Sequence, residues 1–313
     1  MIEAWSEATL IPIVERALGH SATGCTVIPL EGGITNRNFL VQTGGQELVV
    51  RVPGQTTLQL GIDREAEYRA SIAAARVGVG PEVIAFVQPE GCLVTRFIGG
   101  GSLEETQVRQ PEMIRAIAHA LLQVHTSAQV STTFSPFEVV EQYAERAGQV
   151  AISQFPQVNR CRHLMTEVRA SFGSGLDLGH LCHNDLLTAN FLLQNGRIRI
   201  VDWEYAGMGS IHFDLGNLSI NNGYQDEQDE LLLRAYFGSL RQSDWAALKL
   251  MRIASDGREA MWGVLQSVIS DLDFDFAGYA HEHFERMFQG GSGRTYRRLL
   301  STVSNNLGGP VNA

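Results

Sequence analysis

A chain of 313 residues, 44% of them apolar, has enough material for a substantial core in one large domain or two lobes. Its formal net charge of −10 argues against a nucleic-acid-binding surface, because phosphate contacts need clustered Lys and Arg, and it favours a cationic small molecule as partner. Four scattered cysteines, an acidic N-terminal stretch and the lack of an 18-residue apolar run predict a cytoplasmic protein without a disulfide framework or membrane insertion.

The first hundred residues predict a small sheet with accompanying helices. An amphipathic helix is expected over residues 5–19, and the β-branched runs and glycine pairs of residues 25–54 are typical of an antiparallel meander. A helix then begins near Asp63 and ends at the glycines before Pro81. The segment GCLVTRF predicts a strand that runs into the glycine hinge at 99–101.

After the hinge the pattern becomes helical. Ile114, Ile117 and Leu121 fall on one helix face, and similar apolar stripes recur after residue 226. The tail from Ser304, SNNLGGPVNA, is expected to be loose.

The clear exception in this helical part is a central hairpin, NFLLQ-NG-RIRIVD. Its two β-rich runs are joined by Asn195-Gly196, the dipeptide preferred in two-residue type I′ turns. Counting outward from this turn makes Asn190 and Asp202 near neighbours. Asp185 lies a few residues upstream, in a loop that can reach the same place.

Oxygen-bearing side chains at such a strand end suit Mg²⁺, which takes hard oxygen ligands and keeps its other positions for water and phosphate. Asn and Asp also cap turns and helices, so each of the three residues alone has a purely structural explanation. Their joint spacing favours chemistry. The spacing follows the catalytic-loop pattern of kinases: an H-x-D motif, an Asn five residues after its Asp, and a further Asp beyond a hairpin.

The motifs HNDLLTAN, IVDWEY and FDLGN resemble those of the choline/ethanolamine kinases and the wider aminoglycoside-phosphotransferase-like group of the protein-kinase-like superfamily. The resemblance covers nearly the whole chain and implies an α+β, two-lobed protein-kinase-like fold. A small N-terminal lobe with an antiparallel sheet, residues 1–98, would bind the nucleotide. A larger, mainly helical lobe with the central β-hairpin, residues 99–313, would bind the substrate and carry catalysis.

By the same resemblance, Asp185 is the catalytic base that accepts or orients the proton of the substrate hydroxyl, and Asn190 and Asp202 are the Mg²⁺ ligands that bridge the ATP phosphates. Such a set suffices, because phosphoryl transfer depends on positioning and charge neutralisation. Three residues are expected to support this loop rather than react: His183, Asp214 and Asn217. His125, on a helix face, is expected to be a satisfied core residue.

The chain has one lysine, Lys249, so the phosphate-binding cation of the third strand falls to Arg51 in ELVVRVPG. Arg51 is expected to pair with Glu67 on the following helix, with Glu65 as the alternative; without a partner it would be an ordinary exposed strand arginine. The resemblance implies further ATP-binding residues in a phosphate-covering turn and in a strand whose main chain meets adenine: Gly32, Gly33, Thr35, Asn36, Thr95 and Phe97.

Trp262 and Tyr279 match the rings that hold the quaternary ammonium in choline kinases, where cation–π contacts supply the attraction; core packing is the alternative for both. Glu259 stands where the family has the first tryptophan of WxxW. It would add a charge suited to a primary amine such as ethanolamine, or point to solvent. Asn221 stands where the family often has a carboxylate. Glu204, two residues beyond the metal-binding aspartate, is expected to face the substrate or a second metal position.

The expected function is an ATP- and Mg²⁺-dependent kinase that phosphorylates the hydroxyl of a small amino alcohol, choline first and ethanolamine second. Alternatives on the same scaffold are thiamine, homoserine-like, sugar or aminoglycoside kinases. A non-catalytic pseudokinase is disfavoured because Asp185, Asn190 and Asp202 are all present. A metal-dependent phosphohydrolase is disfavoured because no HxH or HxxxH spacing lies near the loop.

Overall fold

The structure of the chain is a computed structural model that describes residues 5–22, 24–30, 36–54 and 56–307. Its first part is a five-stranded antiparallel sheet in the order β1-β2-β3-β5-β4. The strands are β1 (Thr26–Leu30), β2 (Asn36–Thr43), β3 (Gln46–Pro53), β4 (Val83–Val87) and β5 (Cys92–Arg96). The predicted meander is confirmed, whereas Gly32, Gly33 and Thr35 of the predicted phosphate turn lie outside the described residues.

Three helices accompany this sheet: α1 (Glu7–Leu18), α2 (Thr57–Leu60) and α3 (Arg64–Arg76). Leu10 and Val14 of α1 are buried with Val41, Val50 and Val94 of the strands, so one face of the sheet has its own apolar core. Because these side chains alternate with more exposed ones along the strands, the sheet can be covered by a single amphipathic helix.

Helix α3 does not share the core of α1 and instead packs its small residues into the core of the helical part. Its N-cap, Asp63, accepts hydrogen bonds from the main-chain N–H groups of Glu65 and Ala66, which fixes where the helix starts. The small side chains Ala70 and Ala74 are buried in the core of the helical part. The first turn of α3 carries Arg64 and Glu67, and Glu67 pairs with Arg51 of β3, the central strand of the sheet.

The second part is mainly helical, as predicted. Its helices are α4 (Glu105–Val108), α5 (Pro111–His125), α6 (Pro136–Gln154, with a break at Gly148), α7 (Gln157–Phe172), α8 (Ile211–Asn221), α9 (Asp226–Phe237), α10 (Gln242–Ile269), α11 (Phe276–Gly290) and α12 (Gly293–Asn306). The long α10 runs through the core and packs on α6, α8, α11 and α12. The loose tail expected from Ser304 is wrong for its first residues, because α12 continues to Asn306 and anchors Val303 in the core.

The central hairpin forms as predicted. Strands β7 (Phe191–Gln194) and β8 (Arg197–Ile200) pair with Gln194 opposite Arg197, and the turn residues Asn195 and Gly196 have φ angles of 51° and 74°. The ladder continues by one residue, because Val201 N–H donates to Asn190 O over 3.0 Å. Two short strands, β6 (His180–Cys182) and β9 (Gly207–Gly209), pair beside the hairpin.

The single lysine lies in the helical part, as expected. Lys249 Nζ contacts Asp226 Oδ1 at 2.8 Å and Asp229 Oδ2 at 2.5 Å, and it lies 4.4 Å from the centroid of the Trp245 ring. The four cysteines are free and buried. Within the described ranges, no helix is both long and apolar enough to cross a membrane.

Candidate active site

The loop between β6 and β7 is held by α8. Asp214 accepts hydrogen bonds from the main-chain N–H groups of His183 at 2.8 Å and Asn184 at 2.7 Å, and Asn217 Oδ1 accepts from Leu186 N–H at 2.6 Å. These are the hydrogen bonds predicted for Asp214 and Asn217. Because Asn184 has a φ of 67°, the two bonds to Asp214 fix a turn that presents the next residue outward.

Helix α8 reaches this loop because it lies unusually close to α10. A Cβ at Gly216 would come within 2.8 Å of Met251, so the glycine of FDLGN permits the approach. Asn217 Nδ2 also donates to Ser255 Oγ on α10 at 3.0 Å. His125 Nε2 lies 3.0 Å from Asp214 Oδ2, and its Nδ1 lies 2.7 Å from Tyr236 Oη. Both ring nitrogens of this buried residue therefore have partners, as predicted.

His183 holds main chain on both sides of the site. Its Nε2 lies 2.9 Å from Val201 O, and Asp185 N–H donates to its Nδ1 over 3.2 Å. Burial lowers the pKa of His183 below its ordinary value, although Asp214 opposes this. A neutral imidazole that donates to Val201 and accepts from Asp185 ties the catalytic loop to the end of the hairpin.

The Asp185 carboxylate has a raised pKa. Burial, together with the nearby charges of Glu259 and Asp202, raises this pKa to about 7, although Arg258, whose Nη1 contacts Asp185 Oδ1 at 3.2 Å, opposes the rise. A carboxylate that titrates near neutral pH matches the requirement for a general base, since proton transfer is most efficient when the pKa lies near the working pH.

Asn190 and Asp202 come together at the end of the hairpin, as predicted, because Val201 N–H donates to Asn190 O. Asn190 Nδ2 donates to Asp185 O over 2.9 Å, which leaves its amide oxygen as the ligand atom. Asp202 has a φ of 68°, and its Oδ1 lies 2.5 Å from Nη2 of Arg51. One carboxylate and one amide oxygen form a hard-oxygen donor set, so the residues present fit Mg²⁺.

Arg51 is buried and paired, so it is not an exposed strand arginine. Its Nη1 contacts Glu67 Oε1 at 2.6 Å, whereas the alternative partner, Glu65, pairs with Arg69 on the surface. Burial lowers the pKa of Arg51, but its carboxylate neighbours, led by Asp202, outweigh this and raise the pKa above its ordinary value. Arg51 therefore carries a permanent positive charge at the sheet side of the site.

A second arginine, Arg64, was missed by the sequence reasoning. It contacts Glu67 Oε2 at 2.6 Å and donates to Asn36 Oδ1 at 2.7 Å. Asn36 in turn donates to Glu204 Oε2 at 2.8 Å, and Glu204 also lies 3.3 Å from Arg51. Glu204 is thus bonded to the residues around Arg51, and its expected place at the substrate or at a second metal position stays a prediction.

A cavity of about 370 Å³ opens between the sheet and the hairpin. The predicted nucleotide and metal residues Arg51, Thr95, Phe97, Asn190 and Asp202 all line it. Apolar side chains from both sides complete the walls, among them Val49, Leu93, Ile98, Leu192 and Val201. A mostly apolar cleft of a few hundred Å³ with charged groups at one end is typical of a site for a nucleotide.

The two side chains of the predicted aromatic pair are in contact. The ring centroids of Trp262 and Tyr279 are 5.4 Å apart, with the rings at 67° to each other, and Phe276 lies against Trp262. Tyr279 Oη donates to Glu259 Oε2 over 2.9 Å. Glu259 is only 4% exposed, so the solvent-facing alternative for this residue is wrong.

The sequence profile of the phosphotransferase enzyme family matches residues 26–251. The chain belongs to this family. It is 25% identical over 269 residues to Protein LicA of Haemophilus influenzae, covering 82% of this chain and 78% of the relative. It is 26% identical over 290 residues to human ethanolamine kinase 2, covering 82% and 74%.

A solved structure shares this architecture. A choline/ethanolamine kinase family protein from Mesorhizobium loti has a TM-score of 0.77 and 28% identity, covering 94% of this chain and 99% of that one. The resemblance to the choline/ethanolamine kinases and the two-lobed protein-kinase-like fold are thereby confirmed. The phosphotransferase is choline/ethanolamine-kinase-like, and the lobe boundary at residue 98 stays a prediction.

Proposed function

We propose that this phosphotransferase transfers the γ-phosphoryl group of ATP, with Mg²⁺, to the hydroxyl of a small amino alcohol, choline first and ethanolamine second. One observation supports the proposal: Asp185 is connected to two differently equipped groups of side chains. Its main-chain oxygen accepts from the metal-side residue Asn190, and its carboxylate meets Arg258, whose neighbour Glu259 holds Tyr279. A base placed between a phosphate site and an aromatic pair fits transfer from nucleotide to cationic alcohol.

The nucleotide is assigned to the cavity between the lobes, residues 1–98 and 99–313. The main chain at Thr95 and Phe97 would meet the base, and Arg51, held by Glu67, would neutralise phosphate charge. Mg²⁺ held by Asn190 and Asp202 would supply further neutralisation of the phosphates. Asn36, Arg64 and Glu204 are bonded to one another and would keep this end of the site rigid.

In the reaction, the acceptor hydroxyl oxygen forms a bond to the γ-phosphorus while the bond to the β–γ bridging oxygen breaks and ADP departs. The hydroxyl proton passes to the Asp185 carboxylate. The pKa of about 7 lets this carboxylate be ionised at neutral pH and still take up a proton readily. The hydrogen bonds that Asp214 and Asn217 accept from the main-chain N–H groups of the loop would keep the carboxylate in place.

The acceptor headgroup is assigned to Trp262 and Tyr279. A quaternary ammonium forms no hydrogen bonds, so aromatic faces are its natural partners, each contributing about 0.5–2 kcal/mol. The two rings are at 67° to each other, so the cation would meet the face of one beside the edge of the other. The net charge of −10 also favours the arrival of a cation.

The test is an ADP-release assay with Mg²⁺ and a panel of choline, ethanolamine, thiamine, homoserine, simple sugars and an aminoglycoside. Turnover that requires choline or ethanolamine supports the proposal, and the Asp185→Asn variant serves as the background control. Preferred turnover of another alcohol would replace the acceptor class. ATP binding without turnover of any alcohol would refute the proposal.

A further inference from the structure

Arg258 is the feature of the acceptor side that neither the motifs nor the family resemblance assigned. It lies on α10, is 1% exposed, and uses Nη1 to contact both the Asp185 carboxylate at 3.2 Å and Glu259 Oε1. The guanidinium carbon lies 4.5 Å from the centroid of the Tyr205 ring. A buried cation thus touches the proposed base directly.

The bonding of Arg258 is concentrated on one nitrogen. Its Nε and Nη2 are buried and have no hydrogen-bond partner among the described residues, while Nη1 is shared by two carboxylates. A buried donor without an acceptor lowers the stability of the fold. A guanidinium that served only to stabilise α10 would be expected to have acceptors for Nε and Nη2 as well. The direction of the Arg258 side chain is therefore set by Asp185 and Glu259.

The contacts continue from Glu259 to the aromatic pair. Oε1 of Glu259 is taken by Arg258, and Oε2 accepts from Tyr279 Oη at 2.9 Å. Tyr279 then meets Trp262 ring to ring at 5.4 Å. With both of its oxygens engaged and 4% exposure, Glu259 is occupied by the protein's own groups rather than offered to a ligand.

We propose that Arg258, Glu259 and the Tyr279 hydroxyl are positioning residues that align the Asp185 carboxylate with an acceptor held at Trp262 and Tyr279. The inference rests on the proposed function, because it assigns the acceptor to that aromatic pair. It gives Tyr279 two separable tasks. The ring contacts the acceptor headgroup, and the hydroxyl orients the base through Glu259 and Arg258.

Tyr279→Phe separates these two tasks, because it keeps the ring and removes the hydroxyl. Loss of one hydrogen bond to a charged group predicts that kcat falls about tenfold while the KM for the acceptor stays within about twofold. Tyr296→Phe is the matched control, since Tyr296 Oη donates to Glu167 at 3.2 Å and both residues lie outside the site. This control should leave kcat unchanged. A raised KM with unchanged kcat in Tyr279→Phe would overturn the proposal.

A double-mutant cycle with Arg258→Lys tests the connection itself. The lysine keeps the positive charge but lacks the planar guanidinium, so its effect on kcat should overlap with that of Tyr279→Phe. The double variant is expected to lose little more than the worse single variant. If the losses in kcat from the two single variants multiply in the double variant, the two residues act independently and the proposed alignment through Glu259 is overturned. If Arg258→Lys does not fold, Glu259→Gln takes its place in the same cycle.

The acceptor used is whichever alcohol the wild type phosphorylates in the panel. If the wild type turns over an alcohol but the two variants lose kcat independently, only the proposed positioning role is overturned and the proposed function remains. If no alcohol is turned over, the proposed function fails, and the alignment of Asp185 with an acceptor, which rests on it, is overturned as well.

Discussion

Asp185→Asn should remove activity and yet stabilise the fold. Without a base, phosphoryl transfer should fall by about 10²–10⁴-fold. The stabilisation follows because burial outweighs the contact with Arg258 and raises the pKa of Asp185 from its ordinary 3.8 to about 7 in the folded protein. At pH 8 the wild type must keep a charge buried that its unfolded chain holds in water.

The size of the effect depends on pH in a defined way. Below about pH 4 the Asp185 carboxyl is protonated in both the folded and the unfolded state. Its ionisation should then make no difference between the unfolding free energies of wild type and variant. Between pH 4 and 7 the unfolded chain ionises first and the wild type loses stability. Above pH 7 the difference is constant, with an upper limit of about 4 kcal/mol. Arg258 is not left without a partner in the variant, because Glu259 remains bonded to it.

Urea unfolding between pH 5.5 and 8.5, without metal or nucleotide, measures this difference. Asp244→Asn is the matched control of opposite sign. Although burial raises the pKa of Asp244, hydrogen bonds from His212 and Arg241 outweigh it and lower the pKa, so removing this charge should destabilise the fold at pH 8. If Asp185→Asn is also destabilised at pH 8, the ion pair with Arg258 outweighs burial and the raised pKa is wrong.

Three further outcomes are expected. For the wild type, kcat/KM should fall as the pH drops below about 7 because Asp185 becomes protonated; a flat pH–rate profile down to pH 5 would contradict its role as base. Asp202→Ala should weaken Mg-nucleotide binding at least about tenfold by calorimetry, whereas Asp185→Asn should bind normally; equal binding by both would remove the metal assignment. Arg51→Ala leaves Glu67 buried beside fewer cations and should lower the unfolding free energy in urea by about 3–5 kcal/mol. Arg51→Lys is the control that retains the charge. An Arg51→Ala protein as stable as the wild type would show that the pair is not needed for folding.

The hairpin could be predicted because its information is local. The Asn195-Gly196 turn fixes the register of β7 and β8, and the register brings Asn190 beside Asp202. The pairing of Arg51 with Glu67 was also within reach, since a resemblance aligned the strand and the helix. The hairpin needed only its own local geometry, whereas the contact between Arg51 and Glu67 needed the fold that the resemblance supplied.

Arg64 and Arg258 could not be found in the same way. Each is an arginine in a helix, and helical periodicity does not distinguish a buried, paired arginine from an exposed one. Arg258 meets Asp185 across 73 positions of sequence, so its role depends on how α10 packs against the catalytic loop. The i, i+3 spacing of Arg64 and Glu67 was a usable signal, but such pairs are common on helix surfaces.

The use of arginine in the nucleotide site also decides which reagents can detect this enzyme. Reagents that acylate amines modify lysine side chains, and in protein kinases a strand lysine lies beside the ATP phosphates. Arg51 offers a guanidinium there, which such reagents do not acylate. The single lysine, Lys249, is 16% exposed and bonded to Asp229 in the helical part. A reagent that acylates amines would therefore not label the proposed nucleotide site. Coupling the folded protein to a support through Lys249 would leave that site unmodified.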